Sequence, residues 1–470
     1  MRSREQEGEW PTEHTEHTES SVSDFRVLRV FRGPILIMNN SKRLRLAAIG
    51  CGSRTFIYFE LAAKQPELYE IVAAADHNAA RREKARWLSQ NPDFREFHDD
   101  VEILAQPKLA DLMIIATQDA HHFAHASAAL RKGYDLLLEK PISTNLRDVL
   151  ALEKLASELG RKVLVCHVLR YTPFYRRVKE IVSSGQLGRV VSFEATEGVE
   201  PWHQSHSFVR GHWAVTEKAT PMIIAKSCHD TDILSWLVDS PCVSLNSFGG
   251  IMYFRREQAP AGAPPRCTDG CPVGDTCFYN ALRYAGDKKN WLEIIFDRAK
   301  TATDAEIVEW LKTSPWGRCV YRCDNSAVDH QTVNMNFASG ATGTFTMTAF
   351  SEGRDLAIFG TKARLLAGER VKRTAGCDII IEDHATHALQ RITIDYDKDG
   401  WHGGGDAGLI RMLHGEMSKA RTEDMESSLQ RSVESHLIGF AAEESRQTGR
   451  TLDLREVRAR LSSEPDLNRS

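Results

Sequence analysis

The chain has 470 residues, room for two large domains or three of about 150 residues each. Hydrophobic residues make up 42% and charged residues 26%, which excludes a wholly disordered or fibrous protein. Lys and Arg number 60 against 64 Asp and Glu, a formal charge of -4 with no basic stripe, so no nucleic-acid partner is expected. No apolar run approaches the roughly 18 residues of a membrane span, so no membrane partner is expected either.

Residues 1–42 read as a tail. The near-repeat from Thr12 to Ser20, with His14 and His17, is acidic and low in complexity, and such a segment cannot bury a core. It does not show the ordered regions of a secretory signal, so the expected compartment is the cytoplasm, with reduced thiols at the ten cysteines.

From Leu44 the pattern becomes regular. Leu44 to Ile49 reads as a strand that runs into Gly50-Cys51-Gly52-Ser53-Arg54. A helical pattern follows through Phe56, Phe59, Leu61 and Ala62, and a second strand from Tyr69 to Ala75 ends at Asp76. Gly50 permits a tight turn, and Gly52 lets the backbone approach a pyrophosphate seated on the positive end of the helix. Asp76 follows Gly50 by 76 − 50 = 26 positions, near the offset of roughly 20 expected of an acid holding ribose hydroxyls. The third glycine of the fuller fingerprint is missing. An acid at the ribose favours NAD, while His77, Arg81 and Arg82 close behind leave NADP open.

The alternation continues with a helix over 81–88, a strand over 110–117 and a helix over 122–132 that ends at Gly133. A strand over 135–138 runs into Glu139-Lys140-Pro141, and a helix over 145–159 and a strand over 162–166 complete the unit. Residues 43–166 therefore predict a doubly wound α/β Rossmann domain binding NAD(P), with a parallel sheet. Its ligand belongs at the carboxyl ends of the strands, where Gly50, Gly52, Asp76, Thr117, Gln118, Glu139 and Lys140 all fall. Segments 189–195, 242–247, 328–337 and 343–350 instead alternate like half-buried antiparallel strands, and helices are predicted over 412–420 and 432–448. Residues 167–455 thus predict an α+β substrate domain with a large antiparallel sheet, and 456–470 a C-terminal tail.

Several stretches together resemble the Gfo/Idh/MocA oxidoreductases. They are Ala48-Ile49-Gly50-Cys51-Gly52, Asp76, Ile115-Ala116-Thr117-Gln118 with His121-His122, and Glu139-Lys140-Pro141-Ile142. Further on they are Arg170-Tyr171-x-Pro173, Gly185-x-Leu187-Gly188 and His229-x-x-Asp232. The resemblance covers roughly 43–454, and Glu-Lys-Pro is its most specific element. It implies an NAD(P)-dependent dehydrogenase, homo-oligomeric, acting on a hydroxyl carbon of a sugar, polyol or sugar derivative. Cofactor contacts are expected at Gly50, Gly52, Ser53, Arg54, Asp76, Thr117, Gln118, His122, Glu139, Lys140 and Arg170.

Lys140 matches the family lysine at the reacting carbon. A lysine beside a cationic ring gives up its proton more readily, which a base near neutral pH requires. On a helix His229 and Asp232 share a face at i and i+3, so both are expected in the cleft. The family often carries an acid four residues before this histidine. Here that position is Ala225, so either Lys226 or Asp230 substitutes, or the chemistry differs. Arg170 and Tyr171 orient substrate or form a structural ion pair. Two rival readings remain, an NAD-dependent glycosidase working by transient oxidation and elimination, and a non-catalytic sugar or dinucleotide sensor.

One cluster stands outside this pattern. After the Pro- and Gly-rich loop from Gln258 to Arg266 come Cys267, Cys271 and Cys277, with Cys319 and Cys323 later. Three thiolates plus one of the later pair supply the four ligands of a structural zinc site, against the alternatives of an iron–sulfur cluster or free thiols.

Overall fold

Six short strands alternate with helices between Leu44 and Val165. They are β1 (Leu44–Ile49), β2 (Tyr69–Ala75), β3 (Arg95–Phe97), β4 (Leu112–Ile115), β5 (Asp135–Leu138) and β6 (Val163–Val165). The structure is a computed structural model and describes residues 42–463 apart from 297 and 397–400. Residues 1–41, with His14 and His17, and residues 464–470 lie outside the described residues.

The first sheet has the order β3-β2-β1-β4-β5-β6, and every pair in it is parallel. The order reverses between β1 and β4, which opens a crevice at their carboxyl ends. β4 is buried throughout and β1 over its last four residues, so both read as continuous apolar runs rather than alternating ones. The predicted strand 135–138 is β5 itself. The predicted helix over 145–159 is observed as Leu146–Glu158, with the Asn145 side chain accepting from Asp148 N as its N-cap. β3 is a difference from the sequence reading, because three residues are too few to show a period.

The second sheet has nine strands in the order β14-β13-β12-β11-β7-β10-β9-β8-β15. These are β7 (Val190–Val199), β8 (Cys242–Gly250), β9 (His330–Phe337), β10 (Thr342–Thr348), β11 (Glu352–Gly360), β12 (Ala363–Gly368), β13 (Ile379–Asp383), β14 (Leu389–Ile392) and β15 (Leu452–Asp453). Neighbours are antiparallel except β7 and β10, which pair in parallel because β10 folds back from its hairpin with β9 to lie along β7. The expected antiparallel sheet is therefore a mixed one.

The helix Gly405–Ser418 begins seven residues before its predicted start. The segment expected as a C-terminal tail begins within a helix, Leu454–Ser463. Between β8 and β9 the chain departs into residues 251–329, a lobe packed around two small cores that also take in Trp202, Val209 and Ala349. Among the described residues no helix is long and apolar enough to cross a membrane.

Candidate cofactor cleft and active site

β1 ends in the glycine turn. Gly50 has φ +91°, and a Cβ there would stand 2.7 Å from the Ala116 carbonyl oxygen, so glycine lets the ends of β1 and β4 close on each other. Gly52 precedes the helix Ser53–Ala63 as its N-cap and provides no side-chain cap. A Cβ on Gly52 would meet nothing within 4 Å. The first-turn N–H groups therefore open onto a cleft of about 610 Å³, lined by Gly50, Gly52, Asp76, Thr117 and Gln118. Asp76 is half-buried; its Oδ2 accepts from Cys51 N at 2.8 Å and its Oδ1 from Asn78 N at 2.8 Å. An uncapped helix end beside open space, with a carboxylate at the tip of β2, fits a pyrophosphate and its ribose. Arg81 lines the same cleft.

Four of the residues expected at the cofactor are engaged with protein partners. Arg54 donates from Nε to Glu139 Oε1 at 2.7 Å and from Nη2 to Tyr58 and Asp406. Burial pushes the Glu139 carboxyl up, but the Arg54 charge and the hydrogen bonds from Tyr58 and Arg54 outweigh it and hold Glu139 below the usual carboxylate range. Arg54 and Glu139 thus use their polar atoms on protein partners. His122 is buried, with Nδ1 2.6 Å from the Pro141 carbonyl and Nε2 3.1 Å from that of Thr117. It ties the loop after β4 to the loop after β5.

Arg170 forms the structural ion pair that was one of its two expected roles, and its partner is Asp232, which was expected in the cleft. They form a bidentate pair at 2.7 and 2.7 Å, with Arg170 also donating to the Glu426 carbonyl at 2.5 Å. Arg170 is 1% exposed and Asp232 is 0% exposed, so the pair is fully buried. The helix Cys228–Val238 does place His229 and Asp232 one turn apart. Asp232, however, turns to the arginine.

Lys140 follows β5 and is half-buried. Its Nζ donates to the Ala225 carbonyl at 3.1 Å, just ahead of Lys226 and His229. The His229 ring lies 5.8 Å from that of His402 and 6.3 Å from that of His167. Among the described residues the buried Nδ1 of His229 has no hydrogen-bond partner. Burial and the neighbouring Lys140 charge hold His229 well below the usual histidine range, so it is neutral. Burial and the Lys226 charge lower His203 to about 4. His402, at φ +55°, sits with Nδ1 2.9 Å from Asp406 Oδ2. Asp406 is in turn held by Arg54, which links the glycine turn to the histidines.

Lys226 is committed to an ion pair. Its Nζ donates to Glu197 Oε1 at 3.0 Å, while Ser227 Oγ donates to Glu197 Oε2 at 2.9 Å. Arg354 donates to Asp230 Oδ1 at 2.6 Å and to Glu197 Oε1 at 2.5 Å. Burial pushes Glu197 up, but Arg354 and Lys226 outweigh it and hold the carboxyl below its usual range. Burial, helped by the Glu197 charge and opposed by Arg354, pushes Asp230 up to about 7.

The sequence reading missed Glu197, His203, Arg354, His402 and Asp406. Two signals were present. Glu197 is a charge on the inward face of an alternating strand, and His402 and Asp406 flank three consecutive glycines. Cys267, Cys271 and Cys277 line a different cavity, in the 251–329 lobe.

Comparison with known proteins agrees with this geometry. Residues 44–167 match the family model described as oxidoreductase family, NAD-binding Rossmann fold, and residues 175–366 match the GFO/IDH/MocA C-terminal domain. The putative oxidoreductase YteT of Bacillus subtilis is 24% identical over 77% of this chain and 87% of its own length. An inositol 2-dehydrogenase of Rhodococcus jostii is 25% identical over 49% of this chain and 58% of its own length. A solved structure of the WlbA dehydrogenase from Bordetella pertussis, in complex with NADH and UDP-GlcNAcA, shares the fold. It superposes with a TM-score of 0.57 at 16% identity over 88% of this chain and 99% of that one. The chain belongs to the Gfo/Idh/MocA family and is an NAD-binding oxidoreductase.

Proposed function

We propose that this protein oxidises a hydroxyl carbon of a sugar, polyol or sugar derivative, with Lys140 as the acid/base. NAD, seated along Gly50, Gly52 and Asp76, supplies the acceptor for the hydride. The observation that carries the reading is the contrast between two lysines. Lys226 is bound to a buried carboxylate, whereas among the described residues Lys140 Nζ has one hydrogen bond, to a neutral carbonyl, and no ion pair. Lys140 therefore exchanges a proton with a substrate hydroxyl without breaking an ion pair. His229, held neutral beside it, accepts a hydrogen bond from the same substrate and orients it. His203, His402 and Lys226 offer further polar contacts to a polyhydroxylated ligand. The inositol 2-dehydrogenases among the relatives, and the nucleotide-sugar acid in a structural neighbour, support this substrate class.

Asp76 places a charge where NADP would carry its 2′-phosphate, so NAD is the preferred cofactor. A homo-oligomer, with a mass above the 52.8 kDa of one chain, is part of the same reading.

The test is a cofactor-reduction assay, followed by absorbance, with NAD and NADP against a panel of polyols, sugars and glycosides. Stoichiometric reduction of NAD by a free sugar or polyol supports the proposal. Glycoside cleavage without net reduction would replace it with the glycosidase reading. Dinucleotide binding without turnover across the panel would replace it with the sensor reading.

A further inference from the structure

We propose that Cys267, Cys271, Cys277 and Cys319 hold one zinc ion as a tetrathiolate centre that fixes the 251–329 lobe against the wall of the active site. The inference is independent of the reaction proposed above.

The fold brings these thiols together from two segments. Cys267 N donates to Gly317 O at 3.0 Å and Cys319 N to Pro265 O at 2.9 Å, so the two segments run antiparallel through the Arg266–Arg318 bridge. A turn then carries Cys271 and Cys277, with Gly274 N bonded to Cys271 O at 3.0 Å and Cys277 N to Val273 O at 2.9 Å. All four cysteines line one cavity of about 10 Å³. That is room enough for a single ion between the thiols. Cys323 is not among the lining residues; its Sγ donates to the Cys319 carbonyl at 3.3 Å. The fourth ligand is therefore Cys319. Among the described residues no three of these sulfurs lie within 4.8 Å of one another. A tetrahedron with Zn–S bonds of about 2.3 Å sets its sulfurs about 3.8 Å apart, so the ion draws the thiols inward by side-chain rotation.

A second observation points to charge at the same place. Arg210 is 1% exposed, forms no ion pair with a described carboxylate, and leaves its buried Nη1 without a hydrogen-bond partner among the described residues. Its Nη2 approaches Cys267 Sγ at 3.8 Å and donates to Tyr279 O at 2.6 Å, while Nε donates to Arg318 O at 2.7 Å. A buried guanidinium calls for an opposite charge nearby. Zinc with four thiolates carries a net charge of −2 and supplies it.

The lobe also needs a fastening. It inserts 329 − 251 + 1 = 79 residues between the paired strands β8 and β9, and its described residues carry no strand. With one helix, short 3-10 turns and small cores, a cross-link would add to what holds its shape. Its aromatic residues brace the active-site wall: His206 Nδ1 lies 2.6 Å from Tyr284 OH, and the His203 ring lies 5.2 Å from that of Trp291.

The test uses the full-length protein, expressed with zinc in the medium. Elemental analysis should find about one zinc per chain, and zinc-edge absorption spectroscopy should find four sulfur neighbours at about 2.3 Å. Cys271→Ser and Cys277→Ser should each reduce zinc at least tenfold, whereas Cys323→Ser should retain it. If the ligand variants do not fold, the wild-type content and its sulfur shell still decide. Metal-free folded protein, iron with acid-labile sulfide, or a Cys323→Ser variant that loses zinc would overturn the proposal.

Discussion

Alanine at Gly50 and alanine at Gly52, two residues apart, should give opposite signatures. At Gly50 the left-handed backbone costs an alanine about 1–2 kcal/mol. Its Cβ would also stand 2.7 Å from Ala116 O and 2.9 Å from Thr117 Cγ2, and forcing atoms into such a contact adds about 1–3 kcal/mol. Gly50→Ala therefore destabilises the fold by about 2–5 kcal/mol, which lowers the melting temperature by roughly 4–10 °C at about 2 °C per kcal/mol. Gly52 has φ −89° and open space where its Cβ would point. Gly52→Ala should cost at most about 1 kcal/mol, the difference between glycine and alanine at an N-cap. Its methyl projects instead into the space that the pyrophosphate must enter. NAD binding should weaken about tenfold or more, equivalent to about 1.4 kcal/mol. Thermal unfolding of each variant, with titration of NAD by calorimetry, measures both effects. Equal melting shifts in the two variants, or unchanged NAD affinity in Gly52→Ala, would refute the seating of the pyrophosphate over Gly52.

Asp76→Ser should narrow the difference in affinity between NAD and NADP; an unchanged preference in binding titrations places Asp76 away from the ribose. Arg170→Met leaves the buried Asp232 carboxyl without its partner, so urea unfolding should show a loss of about 3–5 kcal/mol, much of it recovered when Asp232→Leu is added. Asp230 ionises near 7 in the fold against an ordinary 3.8, so between those values the folded chain keeps a proton that the unfolded chain has released. Its contribution to stability thus falls as pH rises from about 4 to about 7 and is level above that. Asp230→Asn should remove this slope from urea unfolding measured between pH 5 and 8, and an unaltered slope contradicts the assignment.

The parallel sheet was legible because its strands are short buried runs punctuated by glycine, asparagine caps and the Glu-Lys-Pro turn. β3 was too short to show a period, and β11 to β14 lie in a stretch where charged residues interrupt the alternation. The cofactor side of the site was readable because it is local: Gly50, Gly52 and Asp76 fall within one strand–helix–strand unit. The catalytic side is built from residues far apart in the chain. Glu197 meets Arg354 and Lys226 only through the pairing of β7 with β11 and the helix end beneath them. Arg170 and Asp232 read as ligand groups because charged residues beside a cleft look alike in sequence whether they face substrate or each other. Helical spacing put His229 and Asp232 on one side of their helix, but packing turned Asp232 onto Arg170.

On the proposed mechanism Lys140 moves the proton while the dinucleotide rests on backbone amides near Gly50 and Gly52. The most direct test compares Lys140→Ala with the wild-type enzyme, reading turnover on the substrate found in the panel together with NAD affinity by titration. Turnover should fall by about 10²–10⁴, the range for losing a positioned acid/base, with NAD affinity within about twofold of wild type. Near-normal turnover in Lys140→Ala would contradict the mechanism.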